Sequence, residues 1–319
     1  MNIMKYEEVK STNLLAEEFA ALHPKEEALF IANRQTAGRG RLDRSFSSEE
    51  GGLYMSILLP VSEQMSDTVG FTAFCGVKAA EVIERFTGLE IGIKWVNDLV
   101  LKGRKLGGIM TRGIVSPDTN RITHLIVGIG INIRNTLPEE LKDIAISLGE
   151  VVDDTPDPAV LAWNIARSVS YQKDNYLSPT VLEAYRSRLT VLGREVTVYT
   201  PDGSYPAAVL AVNEDYSLTV RPLASEGADQ PRTAPLSEMG KNEGRGNTAK
   251  DKAPADNARR AGAKDKNLSD TPPDKAPAKG WLGLFCRRRA KRDPKGTLRL
   301  YTGEISIRDS ASPHENPFK

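Results

Sequence analysis

Within residues 91–111, IGIKWVNDLVLKGRKLGGIMT, the two lysines Lys94 and Lys105 lie close in sequence to an amide, Asn97, and a carboxylate, Asp98. The pattern predicts two short strands joined by a turn, with Lys94 at the end of an apolar strand, Asn97 and Asp98 at the bend, and Lys105 where the chain returns. Such groups at strand ends suit the binding of a charged, polar ligand, and the Gly-Gly pair after Lys105 permits close backbone approach to it. Asn-Asp and Gly-Gly are also ordinary hairpin-turn pairs, so this stretch alone does not decide between a site and a turn.

A second stretch, RQTAGRGRLDR, spans residues 34–44. Gly38 and Gly40 alternate with Arg39 and Arg41, and Arg44 follows. Backbone N–H groups and guanidinium forks in such a loop suit phosphate oxygens. The loop has neither the third glycine and following helix of a dinucleotide-binding fingerprint nor a Gly-Lys-Ser/Thr sequence. A solvated basic loop or a nucleic-acid contact is the alternative, but a long loop between two core strands is more typical of function.

The elements that must position these stretches alternate between strands and helices. Ser11, Thr12 and Asn13 predict a helix start with an apolar face of Leu14, Leu15 and Phe19, and the free N–H groups there suit a polar ligand head. Strands are predicted at 27–33, 52–60, 109–115 and 121–134, and helices at 67–86, 157–176 and 180–189, with Leu161, Trp163 and Ile165 on the apolar face of the second. Asn132, at the end of the last strand, is expected to face the same cavity as Asn97.

After Leu192 the pattern changes to alternating apolar and polar residues with Asp-Gly and Asn-Glu-Asp turns, which predicts a β-meander that resumes at Gly296. Between them, residues 224–295 are rich in Ala, Pro, Gly and charged residues, so we expect a disordered insertion that splits a small barrel. Residues 281–292, WLGLFCRRRAKR, place an apolar cluster beside a basic one, which suits either an anionic surface or a solvated linker.

Composition bounds the class of protein. The 319 residues have a net charge of +1, so overall charge predicts no polyanion binding, and no apolar run is long enough to span a membrane. Cys75 and Cys286 lie far apart and the three histidines form no spaced cluster, which excludes a disulfide framework and a zinc site. We assign Cys75 to packing. With no signal-peptide pattern at residues 1–10, we expect a soluble cytoplasmic protein.

Together the motifs resemble those of the biotin protein ligases, over about residues 8–223 and 296–309. The resemblance implies an α+β fold, in which a mixed β-sheet flanked by helices is followed by a small SH3-like β-barrel. The expected domains are a catalytic domain at 1–190, the barrel with its insertion at 191–309, and a tail at 310–319. The motifs that carry it are Ser11-Thr-Asn13, Gln35-Thr-Ala-Gly-Arg-Gly-Arg41, Lys94-Trp-Val-Asn-Asp98, Gly103-Arg-Lys-Leu-Gly-Gly108 and Gly128-Ile-Gly-Ile-Asn132.

The resemblance implies a two-step reaction with ATP, Mg²⁺ and biotin and no bound prosthetic group. Biotin and ATP form biotinyl-5′-AMP, which acylates one lysine of a biotin carboxyl carrier domain, so the protein is expected to be a biotin–[biotin carboxyl-carrier protein] ligase. Biotin contacts are implied for Ser11, Thr12, Asn13, Gln35, Arg39, Gly40, Arg41, Lys105, Gly107 and Gly108.

The resemblance also implies roles at the nucleotide end. Lys105 is expected to bridge the biotin carboxylate and the phosphate, Lys94 to hold phosphate oxygens, and Asp98 to bind Mg²⁺ or orient the incoming lysine. Phe46 resembles the residue that covers adenine. The residues implied at the nucleotide are Arg39, Arg41, Arg44, Phe46, Lys94, Asn97 and Asn132, and those implied in catalysis are Lys105, Arg41, Lys94 and Asp98.

Three features depart from the family pattern: Val96 where proline is usual, Asp43 where glycine is common, and the insertion. No helix-turn-helix precedes Ser11, so we expect no specific DNA binding; a homodimer is among the states that the resemblance allows. One alternative is a lipoate or octanoate ligase or transferase with the same core sheet. Another is a non-catalytic nucleic-acid or membrane-binding protein, whose affinity would fall steeply with salt.

Overall fold

The computed structural model describes residues 1–40, 45–61, 68–200, 203–223, 291–292, 296–300 and 304–307. Seven strands form a mixed sheet in the order β1-β2-β3-β7-β6-β5-β4, in which only the β1–β2 pair is parallel. The strands are β1 (Asn2–Val9), β2 (Ala28–Gln35), β3 (Leu53–Pro60), β4 (Gly92–Lys94), β5 (Asp98–Leu101), β6 (Arg104–Val115) and β7 (Ile122–Ile131). The mixed sheet with flanking helices is confirmed.

One face of this sheet is covered by three helices. They are α2 (Thr68–Thr87), α3 (Pro158–Gln172) and α4 (Pro179–Arg188). The central strands β2, β3 and β7 are apolar on both faces, as strands buried on both sides must be, and alternate residues such as Leu53, Met55 and Ile57 pack into this core. Leu161 and Ile165 are buried with them, whereas Trp163 is 38% exposed, so its predicted place on the apolar face is wrong.

The opposite face is covered only in part, by α1 (Thr12–Leu22). Its buried contacts come from the small residues Ala16 and Ala20, which pack against Phe30 on β2. Leu14, expected on the apolar face, is 39% exposed. Small side chains allow the helix to approach the sheet closely, and the part of this face that α1 does not cover is left for a cavity.

Residues 91–111 form three strands instead of the two that were predicted. β4 pairs with β5 and β5 with β6, both antiparallel, so this segment is a meander at the edge of the sheet. The first turn, at residues 95–97, joins strands of only three and four residues. The second turn uses Lys102 and Gly103, both at positive φ, which lets the chain reverse in two residues.

A half-buried ionic contact ties the start of β2 to the end of α3. Glu27 accepts a hydrogen bond from the Ser170 hydroxyl at 2.5 Å and pairs with Lys173. Partial burial opposes ionisation, but the hydrogen bonds from Lys173 and Ser170 lower the pKa of Glu27 below its usual value. The contact therefore stabilises the fold while the carboxylate is charged.

A second sheet follows α4. It has six strands in the order β11-β12-β10-β9-β8-β13, and every neighbouring pair is antiparallel, as the meander pattern predicted. The strands are β8 (Glu195–Thr200), β9 (Gly203–Val212), β10 (Leu218–Pro222), β11 (Lys291–Arg292), β12 (Leu298–Leu300) and β13 (Glu304–Ile307). Because β11 pairs with β12, the expected disordered insertion does not extend to residue 295. Its residues 224–290 lie outside the described part of the chain, as does the sequence 281–290.

Cys75 is fully buried on α2, which confirms its assignment to packing, and burial raises the pKa of its thiol. Cys286 is outside the described residues. None of the described helices is long and apolar enough to cross a membrane.

Candidate functional site

The uncovered part of the sheet forms a cavity of about 140 Å³. It lies between the start of α1, the loop after β2 and the meander β4–β6. Its walls combine polar groups from the first two segments with charged groups from the third. Its lining residues are Ser11, Thr12, Asn13, Gln35, Arg39, Gly40, Ser45, Phe46, Met55, Lys94, Trp95, Asn97, Asp98, Lys105, Gly108, Ile109, Met110, Gly128, Ile129 and Gly130.

Three glycines leave the floor of the cavity open. Gly108 on β6 is paired with Gly130 on β7, and Gly128 lies two residues before Gly130 on the same face. A Cβ at Gly130 would lie 2.6 Å from the Phe46 ring, and one at Gly128 would lie 2.6 Å from the Asn13 amide oxygen. The Gly-x-Gly spacing on β7 therefore makes room for one side chain at each end of the cavity.

The charged end is organised by the pairing of β4, β5 and β6. Lys94 is opposite Asp98, and Asp98 is opposite Gly108. The Lys105 ammonium forms a 2.8 Å ion pair with Asp98, across the space that the missing Gly108 side chain leaves. With Arg39, the lining residues carry three cationic side chains against one carboxylate, so the described wall has an excess of positive charge.

The backbone of Lys105 is held from behind by residues 144–146. Its N–H donates to the Ile144 carbonyl at 2.8 Å, and its carbonyl accepts from Ile146 at 2.9 Å. The Arg104 guanidinium donates to the carbonyls of Lys142 and Ala145 and, at 2.9 Å, to the Glu150 carboxylate. Partial burial opposes ionisation of Glu150, but hydrogen bonds from Ser147 and Arg104 lower its pKa. The segment fixes the strand from which the lysine side chain extends.

The turn before Asp98 is held by α4 and the second sheet. The Trp95 indole N–H donates to the Tyr216 carbonyl at 2.8 Å, and the Tyr185 hydroxyl donates to the Val96 carbonyl at 3.2 Å. The two tyrosine rings contact each other edge to face. Val96, at the position where the sequence departs from the family pattern, is buried in this contact.

Side-chain amides and hydroxyls form the opposite, uncharged end. Gln35 Oε1 accepts from the Thr12 backbone N–H at 2.9 Å and lies 3.2 Å from the Thr12 hydroxyl oxygen. Gln35 Nε2 donates to the Ser48 hydroxyl at 3.1 Å. The buried Ser56 hydroxyl lies 2.7 Å from Thr12 Oγ1 and 2.6 Å from Asn13 Oδ1. These bonds fix the positions of Thr12, Asn13 and Gln35 before any ligand arrives.

The loop after β2 brings an aromatic ring over the floor. Phe46 N–H donates to the Gly38 carbonyl at 2.9 Å, and Arg39 pairs with Ser45 in an isolated antiparallel bridge. The Phe46 ring also contacts Tyr54 edge to face at 6.3 Å. Burial raises the pKa of the Tyr54 hydroxyl, which donates to the Glu49 carbonyl at 2.6 Å. Two predicted site residues of this loop, Arg41 and Arg44, and the departure at Asp43 lie outside the described residues.

The structure brings most of the predicted residues together but separates two of them. Asn132 does not line the cavity, because its amide group donates to the Ile146 carbonyl at 3.2 Å and accepts from Asn135 at 3.1 Å. Asn97 does line the cavity, with its amide group donating to the Ile109 carbonyl at 3.0 Å. The expectation that the two asparagines face one cavity is therefore wrong.

Gly107 is the second exception. A Cβ there would lie 2.3 Å from the Gly130 carbonyl oxygen, so the residue is a glycine because two strands pack closely, and it does not line the cavity. Sequence reasoning also missed Ser48 and Ser56. Ser56 had a signal, since it is the one serine or threonine within the apolar run of β3.

The described residues contain no cluster of three or more histidine, cysteine, aspartate or glutamate side chains that could hold a metal ion by themselves. Asp98 is the one carboxylate among the lining residues. A single carboxylate fits Mg²⁺ that arrives bound to phosphate oxygens, because Mg²⁺ keeps most of its ligands from the nucleotide and water.

Comparison with known proteins agrees with this geometry. A model of the biotin/lipoate A/B protein ligase family matches residues 6–132. The bifunctional ligase/repressor BirA of Bacillus subtilis is 29% identical over 221 residues, which cover 67% of each protein. The biotin–[acetyl-CoA-carboxylase] ligase of Mycobacterium tuberculosis is 27% identical over 185 residues, which cover 55% of this chain and 65% of that protein. The chain thus spans about two thirds of the length of these curated relatives.

Solved structures extend the similarity to the fold. Biotin protein ligase from Aquifex aeolicus, determined in complex with biotin and ATP, is 28% identical and superimposes with a TM-score of 0.59. That match covers 70% of this chain and 96% of the other. In its matched family model, its related sequences and its fold, the chain is similar to the biotin/lipoate A/B protein ligase family, and in particular to biotin protein ligases.

Proposed function

We propose that this protein is an ATP-dependent biotin–protein ligase that activates biotin as biotinyl-5′-AMP and transfers it to a lysine of a carrier domain. The observation that carries the proposal is the cavity with two chemically different ends. Hydroxyls and amides at one end suit a neutral polar ring, and cations at the other suit a carboxylate beside a phosphate. A relative that was solved with biotin and ATP shares this fold.

In the first step a carboxylate oxygen of biotin attacks the α-phosphorus of ATP. The bond from that phosphorus to the bridging oxygen breaks, pyrophosphate leaves, and biotinyl-5′-AMP forms. Both reactants are anions, so their approach requires cations. Lys105, at the centre of the charged end, neutralises the carboxylate and the phosphate oxygens, and Lys94 holds phosphate oxygens nearby. Lys105 acts through charge and forms no covalent bond.

In the second step the neutral amine of a carrier lysine attacks the acyl carbon. The carbon–oxygen bond to AMP breaks and AMP leaves. The nitrogen loses a proton to solvent, and an amide remains. Asp98 lies beside this position and is ion-paired with Lys105 at 2.8 Å. We propose one of two roles for Asp98. It orients the incoming amine, or its second oxygen is a ligand to nucleotide-bound Mg²⁺. When bound, that ion neutralises phosphate charge.

Recognition of biotin falls to the uncharged end. Thr12, Asn13 and Gln35, with Ser11 beside them, meet the ureido group of the ring, and Gly108 lets the substrate chain pass over the strand. Arg39 and Gly40 lie between the two ends, where they contact both substrates. Arg41 is assigned to the same loop on the resemblance alone.

Recognition of the nucleotide falls to the loop and the meander. Phe46 covers adenine, Asn97 contacts the nucleotide from the meander, and Arg44 is assigned there on the resemblance. Asn132 acts indirectly in this proposal, because its side chain holds the segment that supports Lys105.

The proposal extends to organisation and partners. Residues 1–190 form the catalytic domain, and the second sheet, at 191–309, is an SH3-like barrel beside the carrier lysine. The partner is a biotin carboxyl carrier domain. Contact of residues 281–292 with an anionic surface, a homodimer and a cytoplasmic location are further parts of the proposal that rest on sequence alone.

Pyrophosphate release tests the function directly. The protein is incubated with ATP, Mg²⁺ and one acid at a time: biotin, lipoate or octanoate. Release that depends on biotin, followed by a mass increase of a carrier domain at one lysine, supports the proposal. Release with lipoate or octanoate instead would assign the chain to the other branch of its family, and the absence of ATP turnover with any acid would refute ligase activity.

A further inference from the structure

Ser56 is a polar residue in the middle of an apolar strand. It is fully buried on β3, on the sheet face that carries the cavity, and is paired with Gly128 on β7. A buried hydroxyl without a partner destabilises a protein, so a serine in such a place is retained only where it is hydrogen-bonded. An alanine would fit this core at least as well, which directs attention to what the hydroxyl contacts.

Both contacts of the hydroxyl are residues that line the cavity. Ser56 Oγ lies 2.7 Å from Thr12 Oγ1 and 2.6 Å from Asn13 Oδ1. Asn13 fills the space above Gly128, where a Cβ would lie 2.6 Å from its oxygen. The serine on one strand and the glycine on the next therefore define the position of the Asn13 side chain together.

The hydrogen bonds also fix which atoms are donors. The oxygen of the Asn13 amide group faces Ser56, so its nitrogen, on the other branch, is the donor that Asn13 offers to a bound molecule. Ser56 has one hydroxyl proton and Asn13 Oδ1 can only accept, so Ser56 donates to Asn13 and accepts from the Thr12 hydroxyl. Gln35 Oε1 accepts from the Thr12 backbone N–H at 2.9 Å. In this orientation the Asn13 amide nitrogen can donate to the carbonyl oxygen of a bound ring.

We propose that Ser56 is a positioning residue for biotin recognition: it touches no substrate, and it sets the orientation of Asn13 and Thr12 toward the ureido group. The inference rests on the proposed binding of biotin. Without the hydroxyl, the Asn13 amide group can rotate and present its oxygen, which repels a carbonyl oxygen. The effect is confined to one end of the cavity, because Ser56 has no contact with the charged end.

The test is Ser56→Ala in the full-length protein. Calorimetric titration with biotin is expected to give a Kd about tenfold higher than in the original protein, the loss that one hydrogen bond produces. The KM for biotin is expected to rise by a similar factor, while the KM for ATP and the kcat at saturating biotin stay within about twofold. A residue that only supported the fold would lower the melting temperature without this separation of the two substrates.

Ser170→Ala is the matched control, since it removes a hydroxyl that donates to Glu27 away from the cavity. It should leave the Kd for biotin unchanged. Asn13→Ala completes a double-mutant cycle: after Asn13→Ala, the change Ser56→Ala is expected to cost less than half of its effect alone. An unchanged Kd in Ser56→Ala, or additive effects, would overturn the inference. If the original protein itself does not bind biotin, the proposed function has failed instead.

Discussion

Replacing Lys105 by alanine should abolish most of the first chemical step and leave the fold intact. The lysine side chain is 42% exposed and its ion pair with Asp98 is close to solvent, so the pair contributes at most about 1 kcal/mol to stability. For a protein of this size that corresponds to a decrease in melting temperature of less than about 4 °C. The fold can therefore be checked separately from the chemistry.

Two effects add to the loss of rate. Removing one preorganised cationic donor from a developing anion lowers kcat by about 10²–10³. The change also leaves the carboxylate of Asp98 without its partner, where it repels the phosphate. Two unit charges about 5 Å apart at an effective dielectric constant of about 20 interact by about 3 kcal/mol, or roughly another hundredfold before solvent screening. Lys105→Ala with Asp98→Asn should then be faster than Lys105→Ala alone if Asp98 acts on the incoming amine, whereas loss of a Mg²⁺ ligand would make the double variant slower.

The assay is single-turnover formation of biotinyl-5′-AMP with ATP in excess, which isolates the first step from transfer to the carrier. Lys25→Ala removes the same charge from an exposed turn far along the chain and serves as the control; its rate should not change. Adenylate formation by Lys105→Ala at near the original rate would refute the proposed role of the lysine. A double variant slower than the single one would make Asp98 a ligand to Mg²⁺ and refute the contribution assigned to the unpaired carboxylate.

Four further predictions concern the floor, the supports and the insertion. Gly128→Ala should raise the Kd for biotin about tenfold or more, measured by calorimetry, and Gly130→Ala should raise the KM for ATP, measured by steady-state kinetics. The two effects differ because each new methyl group displaces a different side chain. Equal effects of one variant on both substrates would contradict the two-ended cavity. Asn132→Ala should lower the free energy of unfolding by about 2 kcal/mol in denaturant titrations, since it leaves a buried carbonyl without its donor; a change in ATP binding at unchanged stability would restore the residue to the nucleotide site. Glu27→Gln should cost about 1 kcal/mol at pH 7. Because the folded pKa of Glu27 is lowered, the difference from the original protein should decrease as acid protonates the carboxylate and vanish below that lowered pKa. Deletion of residues 226–288, which retains β11, should leave the rate of adenylate formation unchanged. Loss of adenylate formation in this variant would show that the insertion supports the site.

Periodicity and turn residues predicted the mixed sheet, the helices and the second meander, because long apolar patterns have one stable arrangement around a core. They did not locate the exact edge of each pattern. Lys94 to Lys105 contains one more strand than was predicted, since strands of three or four residues have too little alternation to be recognised. The inward face of α1 was predicted in part, since Leu15 and Phe19 pack against the sheet, but Ala16 and Ala20 were missed because alanines have little apolar area.

Position along a strand explains which predicted residues of β6 and β7 line the cavity. Adjacent strand residues point to opposite faces of a sheet, so only one of Gly107 and Gly108 can line the cavity. This alternation could have been used to exclude one of the two glycines from the predicted site. Asn132 follows the last residue of β7, and beyond a strand end the alternation no longer determines direction. Its partner at 146 lies in an irregular segment whose path only the folded structure shows.

The contact between Trp95 and the Tyr216 carbonyl makes the turn between β9 and β10 a support for the wall of the cavity. Among the described residues, all those with a proposed chemical role would remain in a chain that was cut after α4. It would nevertheless lose the acceptor that holds the indole in place, and with it the anchor of the short turn before Asp98. Shortened versions made for crystallography or biotechnology should therefore retain β8 to β10, even where only adenylate chemistry is wanted.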